Sequence, residues 1–379
     1  MSGINSFQQK PALENYQLKN FTMNETAKRS LKLKPLVSIV IDSYNYAQFL
    51  TAAIDSALNQ TYSNVEVIVV DDGSTDDSRE VIESYGEKIK AVFKLNGGQA
   101  SAMNRGFEAA AGELIYFLDS DDIALPDCVE KIVSLYQSAD DDAAFQFKLQ
   151  IIDKNGNATS AMMPDIERLQ SGEARRLLEQ KGFYVFPPTS GNVFSRSLLE
   201  KFMPIPEEDY RVCADIYLCT MAGLVGTVKD AGETLAQFRL HGGNNGASLD
   251  VRAAPPIEDY VEMMIYEAWA RKKSKSLCEN FLNKPVGGNS ELRYVFFSSA
   301  RQKLSKDGAR KLSRFEMLKK FWKELRQAGN APANKKIPVM LYLAAIALLP
   351  KKMVSSLVRL TFVNSPKSLD FLVKKAFSR

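Results

Sequence analysis

Asp119, Ser120, Asp121 and Asp122 place three carboxylates within four residues, at the end of the short apolar run Leu114 to Leu118. Carboxylates packed this tightly repel one another, so a fold that keeps them together usually has a cation nearby. Read alone, the cluster is either a metal or ligand site or a solvated acidic turn that stops a strand. The pattern recurs upstream: Asp42 follows the β-branched run Val37 to Ile41, and Asp71-Asp72 follows Val65 to Val70. Asp215 is different, lying within YRVCADIYLCTMAG among Ile216, Leu218, Cys219 and Met221. A carboxylate in such apolar company is paired or functional, because burying it alone is costly. His241, the only histidine, sits in FRLHGGNNGAS just before two glycines. A lone histidine is more often a structural hydrogen-bonding residue than a ligand.

The elements that would position these groups alternate. Val37 to Ile41 suits a strand buried on both faces, and Phe49, Ala53, Ala57 and Leu58 follow at helical spacing. Val65 to Val70 is a second strand, after which Gly73 suits a tight turn and Ser74 or Thr75 is expected to cap a helix running to about Tyr85. A third strand, Ile89 to Leu95, precedes Asn96-Gly97-Gly98 and a helix over about 99–111, and Leu114 to Leu118 is the fourth strand. This alternation predicts an α/β fold with a doubly wound, mostly parallel sheet flanked by helices. Right-handed crossovers bring the strand-end loops to one edge, so Asp42, Asp72 and Asp121 are expected to share the crevice where such sheets bind ligands. Neither a GxGxxG dinucleotide motif nor a GxxxxGK[ST] phosphate loop follows the first strand. Acids at strand ends fit a sugar nucleotide instead, with base and ribose donating to Asp and a divalent ion bridging carboxylate and diphosphate.

Farther on, a helix over about 126–137 leads into a strand, Ala143 to Ile152, and Asp153 to Asn157 carries the Asn-Gly signal of a hairpin. A polar helix is expected from Glu167 to Gln180. Pro187 and Pro188 then stiffen the approach to Thr189, Ser190, Gly191 and Asn192, a turn that reads either as the floor of an acceptor site or as a rigid connector. A strand, Thr234 to Leu240, leads to His241.

VSIVIDSYN, DDGSTD, NGGQASAMNRG and GELIYFLDSDD occur in the order and spacing of family 2 glycosyltransferases, and the resemblance covers about residues 36–245. It implies a GT-A fold for residues 36–250, while the polar, weakly periodic residues 1–35 read as a mobile arm or a peripheral wrap and residues 251–379 as a helical basic region. It implies donor-binding roles for Asp42, Tyr44 and Asp72 at the nucleobase, for Asp119 at the ribose, and for Asn104 and Arg105. It further implies metal ligation by Asp121, with His241 approaching the metal or diphosphate, and a catalytic base at Asp215, where Ala214 replaces the Glu usual before it. Asp42 stands where many relatives have Pro or Thr. Met103 stands where many have Arg, which moves the expected phosphate contact to Arg105 or Lys94. The implied reaction is inverting transfer from a nucleoside diphosphate sugar, a UDP-sugar first, with Mn2+ or Mg2+ as cofactor. Alternatives are a catalytically silent carbohydrate-binding or scaffold protein of the same fold, and a nucleotidyltransferase.

Charge separates the two ends. From Val251 onward 26 Lys or Arg face 10 Asp or Glu, a balance of +16, whereas residues 1–250 carry 23 against 35, or −12. Phe315, Leu318, Trp322 and Leu325 share a helical face flanked by Lys319, Lys320, Lys323 and Arg326, a pattern suited either to the surface of an anionic membrane or to packing on the catalytic domain with a solvated basic face. A saccharide or lipid-linked saccharide of surface polysaccharide synthesis is the acceptor this suggests. The longest apolar run, Val339 to Leu349, is shorter than the roughly 20 residues of a spanning helix. No secretory signal is recognisable at the start, and Cys128, Cys213, Cys219 and Cys278 show no metal or redox spacing, so a cytoplasmic protein with reduced thiols is expected. No motif supports nucleic-acid binding.

Overall fold

The computed structural model describes residues 34–139, 142–241 and 257–287, together with Met353. Residues 1–33 of the expected arm, Gly242 and Gly243, the residues around Trp322 expected to form a helix, and the apolar run Val339 to Leu349 lie outside the described residues.

Nine strands form one sheet in the order β3-β2-β1-β4-β8-β6-β9-β5, with β7 paired to β6. Strands β1 (Val37–Ser43), β2 (Val65–Asp71), β3 (Lys90–Phe93) and β4 (Leu114–Asp119) are mutually parallel, as the alternating pattern predicts. Their β-branched runs alternate between two apolar layers. Val40, Ile68, Val70 and Phe117 face one core, and Ile39, Ile41, Val69 and Leu118 the other. Helices α1 (Ala47–Leu58), α2 (Ser78–Ser84) and α4 (Cys128–Gln137) cover the second face. The first is covered by α3 (Gln99–Ala109), α5 (Ala174–Lys181), α6 (Arg196–Leu199), α7 (Ala214–Val225) and α8 (Ile257–Leu282). Helix α8 begins the basic region from Val251 onward, and its Ala270 and Cys278 join the same core as α7. The hydroxyls of Thr220 and Ser274 meet at 2.9 Å between these two helices.

Beyond β4 the sheet becomes mixed. β6 (Ala143–Ile152) turns through Asp153 to Asn157 into β7 (Ala158–Met163), as the Asn-Gly signal predicts. Two strands are absent from the sequence expectation, β5 (Ile123–Ala124) and β8 (Asn192–Ser195), because each is too short to show a period. β9 (Thr227–Arg239) is longer than expected, its polar first half pairing parallel to β6 across a register shift near Lys148. Ser74 and Thr75 do not cap α2. The Ser74 hydroxyl accepts from the Asn45 amide at 2.9 Å and the Thr75 amide donates to Asn45 Oδ1 at 2.7 Å, tying the loop after β2 to the loop after β1. The carboxylate of Asp76 receives the Ser78 amide at 3.1 Å instead. All four cysteines are free and buried.

Candidate active site at the carboxyl edge of the sheet

Parallel pairing in register places Asp42 beside Asp119 across β1 and β4. Burial pushes the Asp42 carboxyl up to about 7, helped by the negative charges of Asp121 and Asp72, and its Oδ1 is buried without a hydrogen-bond partner. Burial also raises Asp119 well above the carboxylate range, with Asp42, Asp122, Asp121 and Asp215 adding to the effect. Acids from β1, β4, the loop after β4 and the start of α7 therefore share one region. Its electrostatics favour a cation or hydrogen-bond donors there.

Asp119 is held from two sides. Its amide donates to Ser190 Oγ at 3.0 Å, and its Oδ1 accepts from Gln99 Nε2 at 3.0 Å. Ser190 belongs to a single 3-10 turn, Thr189–Gly191, whose residues are all buried. Asn192 Nδ2 fastens that turn through the carbonyls of Pro187, Pro188 and Thr189, and Tyr116 donates to the Ser190 carbonyl at 3.0 Å. A Cβ on Gly191 would lie 2.5 Å from Pro187 Cβ and 2.9 Å from the Phe147 carbonyl, so the turn requires glycine for close approach. The turn, read from sequence as an acceptor floor or a rigid connector, braces the acid loop through Ser190, and its Thr189 Oγ1 lies 3.4 Å from Gln99 Nε2.

The acid loop is also pinned on its far side. β5 pairs antiparallel to β9, with Ile123 opposite Gln237, which draws the end of β9 alongside Asp121 and Asp122. The Arg239 amide donates to Asp122 Oδ1 at 2.9 Å and its Nε to the Asp121 carbonyl at 2.8 Å. Burial, then the Asp121 charge, raises the Asp122 carboxyl well above its ordinary range. Two residues past Arg239, His241 Nε2 lies 2.9 Å from Asp121 Oδ2. The imidazole is walled by Phe49 and Tyr46, with ring centroids at 4.7 and 5.4 Å. The imidazole nitrogen and the carboxylate oxygen, in hydrogen-bond contact beside buried acids, could serve as two ligands of a divalent ion. Among the described residues no three His, Cys, Asp or Glu side chains form a complete cage.

Asp215 sits in the first turn of α7, after Cys213 in a left-handed conformation at φ 64°. Its Oδ1 accepts the Ile216 amide at 2.9 Å, and burial lifts the carboxyl to about 6 against that stabilising bond. The α7 start is tied across the cleft, since the Ala214 amide donates to Gln99 Oε1 at 3.1 Å.

The other expected donor contacts divide. Asp72 stays at the rim, where its Oδ1 accepts from Lys94 Nζ at 2.5 Å and from the Gly97 amide at 2.9 Å, and its Oδ2 from the Gly98 amide at 2.6 Å. A carboxylate has about four acceptor positions, which leaves one on Oδ2 for an incoming N–H. Tyr44 is exposed at the same edge. Asn104 and Arg105 are turned elsewhere. Asn104 exchanges hydrogen bonds with the backbone of Ile205, at 2.8 and 2.9 Å, and Arg105 pairs with Glu108 on the outer face of α3. Gln99, one residue past the Gly-Gly pair, is the site residue that sequence reasoning passed over. Its signal was only its place at the start of α3, level with the strand ends.

Comparison with known proteins gives the family and the fold. The family model for glycosyl transferase family 2 matches residues 38–203. An uncharacterised glycosyltransferase of Nostoc sp. is 40% identical over 216 residues, which cover 56% of this chain and 67% of the relative. GlyG, a glycosyltransferase of Streptococcus pneumoniae, is 34% identical over 129 residues, 33% of this chain and 43% of that protein. Among solved structures, S. aureus TarS 1-349 in complex with UDP-GlcNAc superposes with a TM-score of 0.52 at 18% identity, covering 86% of this chain and 92% of that one, a likeness of fold. The mostly parallel sheet with helices on both faces is the GT-A arrangement, and the chain belongs to glycosyl transferase family 2.

Proposed function

We propose that this glycosyltransferase moves a sugar from a nucleoside diphosphate sugar, a UDP-sugar first, to a hydroxyl acceptor with inversion at the anomeric carbon. The observation that carries this reading is the convergence of Asp42, Asp119, Asp121 and Asp215 on one rim, with His241 seated on Asp121. The TarS structure that shares the fold holds UDP-GlcNAc, which supports the donor class.

In this reading Asp72 accepts an N–H of the base through the open position on Oδ2, Asp42 and Tyr44 line the base pocket, and Asp119 accepts the ribose hydroxyls. Asp121 and His241 would hold a divalent ion, which when bound supplies charge neutralisation for the leaving diphosphate. Asp215 takes the proton of the acceptor hydroxyl as that oxygen attacks the anomeric carbon and the bond to the diphosphate breaks on the opposite face. With its carboxyl at about 6, Asp215 is ionised at neutral pH and is a stronger base than an ordinary aspartate. A saccharide or lipid-linked saccharide is the proposed acceptor, supported by the basic charge from Val251 onward. No helix among the described residues is long and apolar enough to cross a membrane.

The test is a panel of nucleotide sugars incubated with the protein and Mn2+, read as nucleoside diphosphate release and thermal stabilisation. Release with at least one donor is expected. Stabilisation without release or transfer, across donors and saccharide acceptors, would leave a binding protein in place of an enzyme.

A further inference from the structure

Gln99 reaches both the donor-side acid and the helix carrying the proposed base. Its Nε2 donates to Asp119 Oδ1 at 3.0 Å and lies 3.4 Å from Thr189 Oγ1, while its Oε1 accepts the Ala214 amide at 3.1 Å. Ala214 is the first residue of α7 and the immediate neighbour of Asp215. Both functional ends of one amide are thus occupied by the two halves of the site.

The backbone of Gln99 is held just as firmly. Its amide donates to the Arg211 carbonyl at 2.8 Å, and Gly98 at φ 90° lets the chain come so close that a Cβ there would lie 2.4 Å from Arg211 Cγ and 2.5 Å from the Arg211 carbonyl oxygen. A side chain with this little freedom transmits position. Arg211 lies three residues before Ala214, so Gln99 grips the approach to α7 by its main chain and the start of α7 by its side chain.

We infer that Gln99 is a positioning residue that sets the distance between the donor-binding acid Asp119 and the base Asp215, so that donor and acceptor hydroxyl meet in reacting geometry. The inference rests on the functional reading above. Placement of this kind matters because a small displacement of reacting groups costs orders of magnitude in rate. An amide fits the task better than a charged group, since it donates to Asp119 and accepts from Ala214 without adding charge to an acidic rim.

Two variants separate the two bonds. Gln99→Glu keeps the shape and the acceptor for the Ala214 amide but loses the donor to Asp119. Gln99→Leu loses both. Donor affinity is measured by calorimetry with the nucleotide sugar that wild type turns over, turnover is measured at saturating donor, and each variant is melted in parallel. The expected result is donor affinity weakened about threefold to tenfold in both, the range for loss of one hydrogen bond, with turnover falling clearly further in Gln99→Leu than in Gln99→Glu. If Gln99→Leu does not fold, Gln99→Glu decides alone, and wild-type donor affinity in it would overturn the proposal. So would parallel losses of affinity and turnover that simply track melting temperature. Wild type serves as the control for the functional reading: if it neither binds nor turns over any donor, that reading has failed, whereas intact wild-type activity with unaffected variants strikes only at Gln99.

Discussion

His241 Nε2 stands 2.9 Å from Asp121 Oδ2, although 120 residues separate them, because the two-residue strand β5 pairs with β9 and lays the end of β9 along the acid loop. Phe49 and Tyr46 from the opposite side fix the ring plane. If this pair holds the ion, His241→Ala should raise the Mn2+ concentration needed for half-maximal thermal stabilisation in the presence of UDP by about tenfold or more, on the scale seen when groups that support a metal are removed. Equal Mn2+ midpoints for variant and wild type would exclude His241 as a ligand.

Asp215→Asn keeps the size of the side chain and removes its basicity. Turnover is expected to drop by roughly a hundredfold to ten-thousandfold, the usual share of general-base catalysis. Donor affinity measured by calorimetry should stay close to that of wild type. A variant that retained most of its rate would take the base assignment away from Asp215.

The same residue predicts a pH dependence. With its carboxyl lifted to about 6, the rate should fall as pH is lowered through about 6, as the base becomes protonated. For stability the sign is opposite. A carboxyl whose folded value lies above its unfolded value of 3.8 stabilises the fold at low pH, and that contribution is lost as pH rises through about 6. Asp215→Asn should therefore melt above wild type at pH 8, with the gap closing towards pH 4. Parallel melting curves of the two proteins across this range check it.

Helix α3 lies close on β1, where a Cβ on Gly106 would come 2.2 Å from Val40 Cγ1. Gly106→Ala is expected to lower stability by about 1 to 3 kcal/mol through overpacking. Denaturant unfolding measures this directly. No change would mean that α3 can lift off β1 freely, and with it Gln99.

For the basic end of the chain the expectation is reversible binding to anionic vesicles that weakens with salt. Flotation with phosphatidylserine-containing liposomes should be lost on deleting residues 313–379. Undiminished flotation of the shortened protein would place any membrane contact elsewhere.

The sequence by itself determined the four parallel strands β1 to β4 and where their acids fall. β-branched runs such as Val37 to Ile41 and Val65 to Val70 admit little besides buried parallel strands, and side chains at the carboxyl ends of such strands must meet at one edge. That logic reaches Asp42, Asp72, Asp119 and Asp121, whose positions follow from local pattern and crossover handedness. It does not reach groups whose place depends on pairing between distant segments. Only the tertiary structure decided that the Thr189–Gly191 turn lies behind Asp119, that Asn104 serves Ile205, and that β5 brings His241 to Asp121. Gln99 was hidden for the same reason: a glutamine at a helix start has no periodic signature, and its two partners, 20 and 115 residues away, become neighbours only when the sheet edge and α7 close on each other.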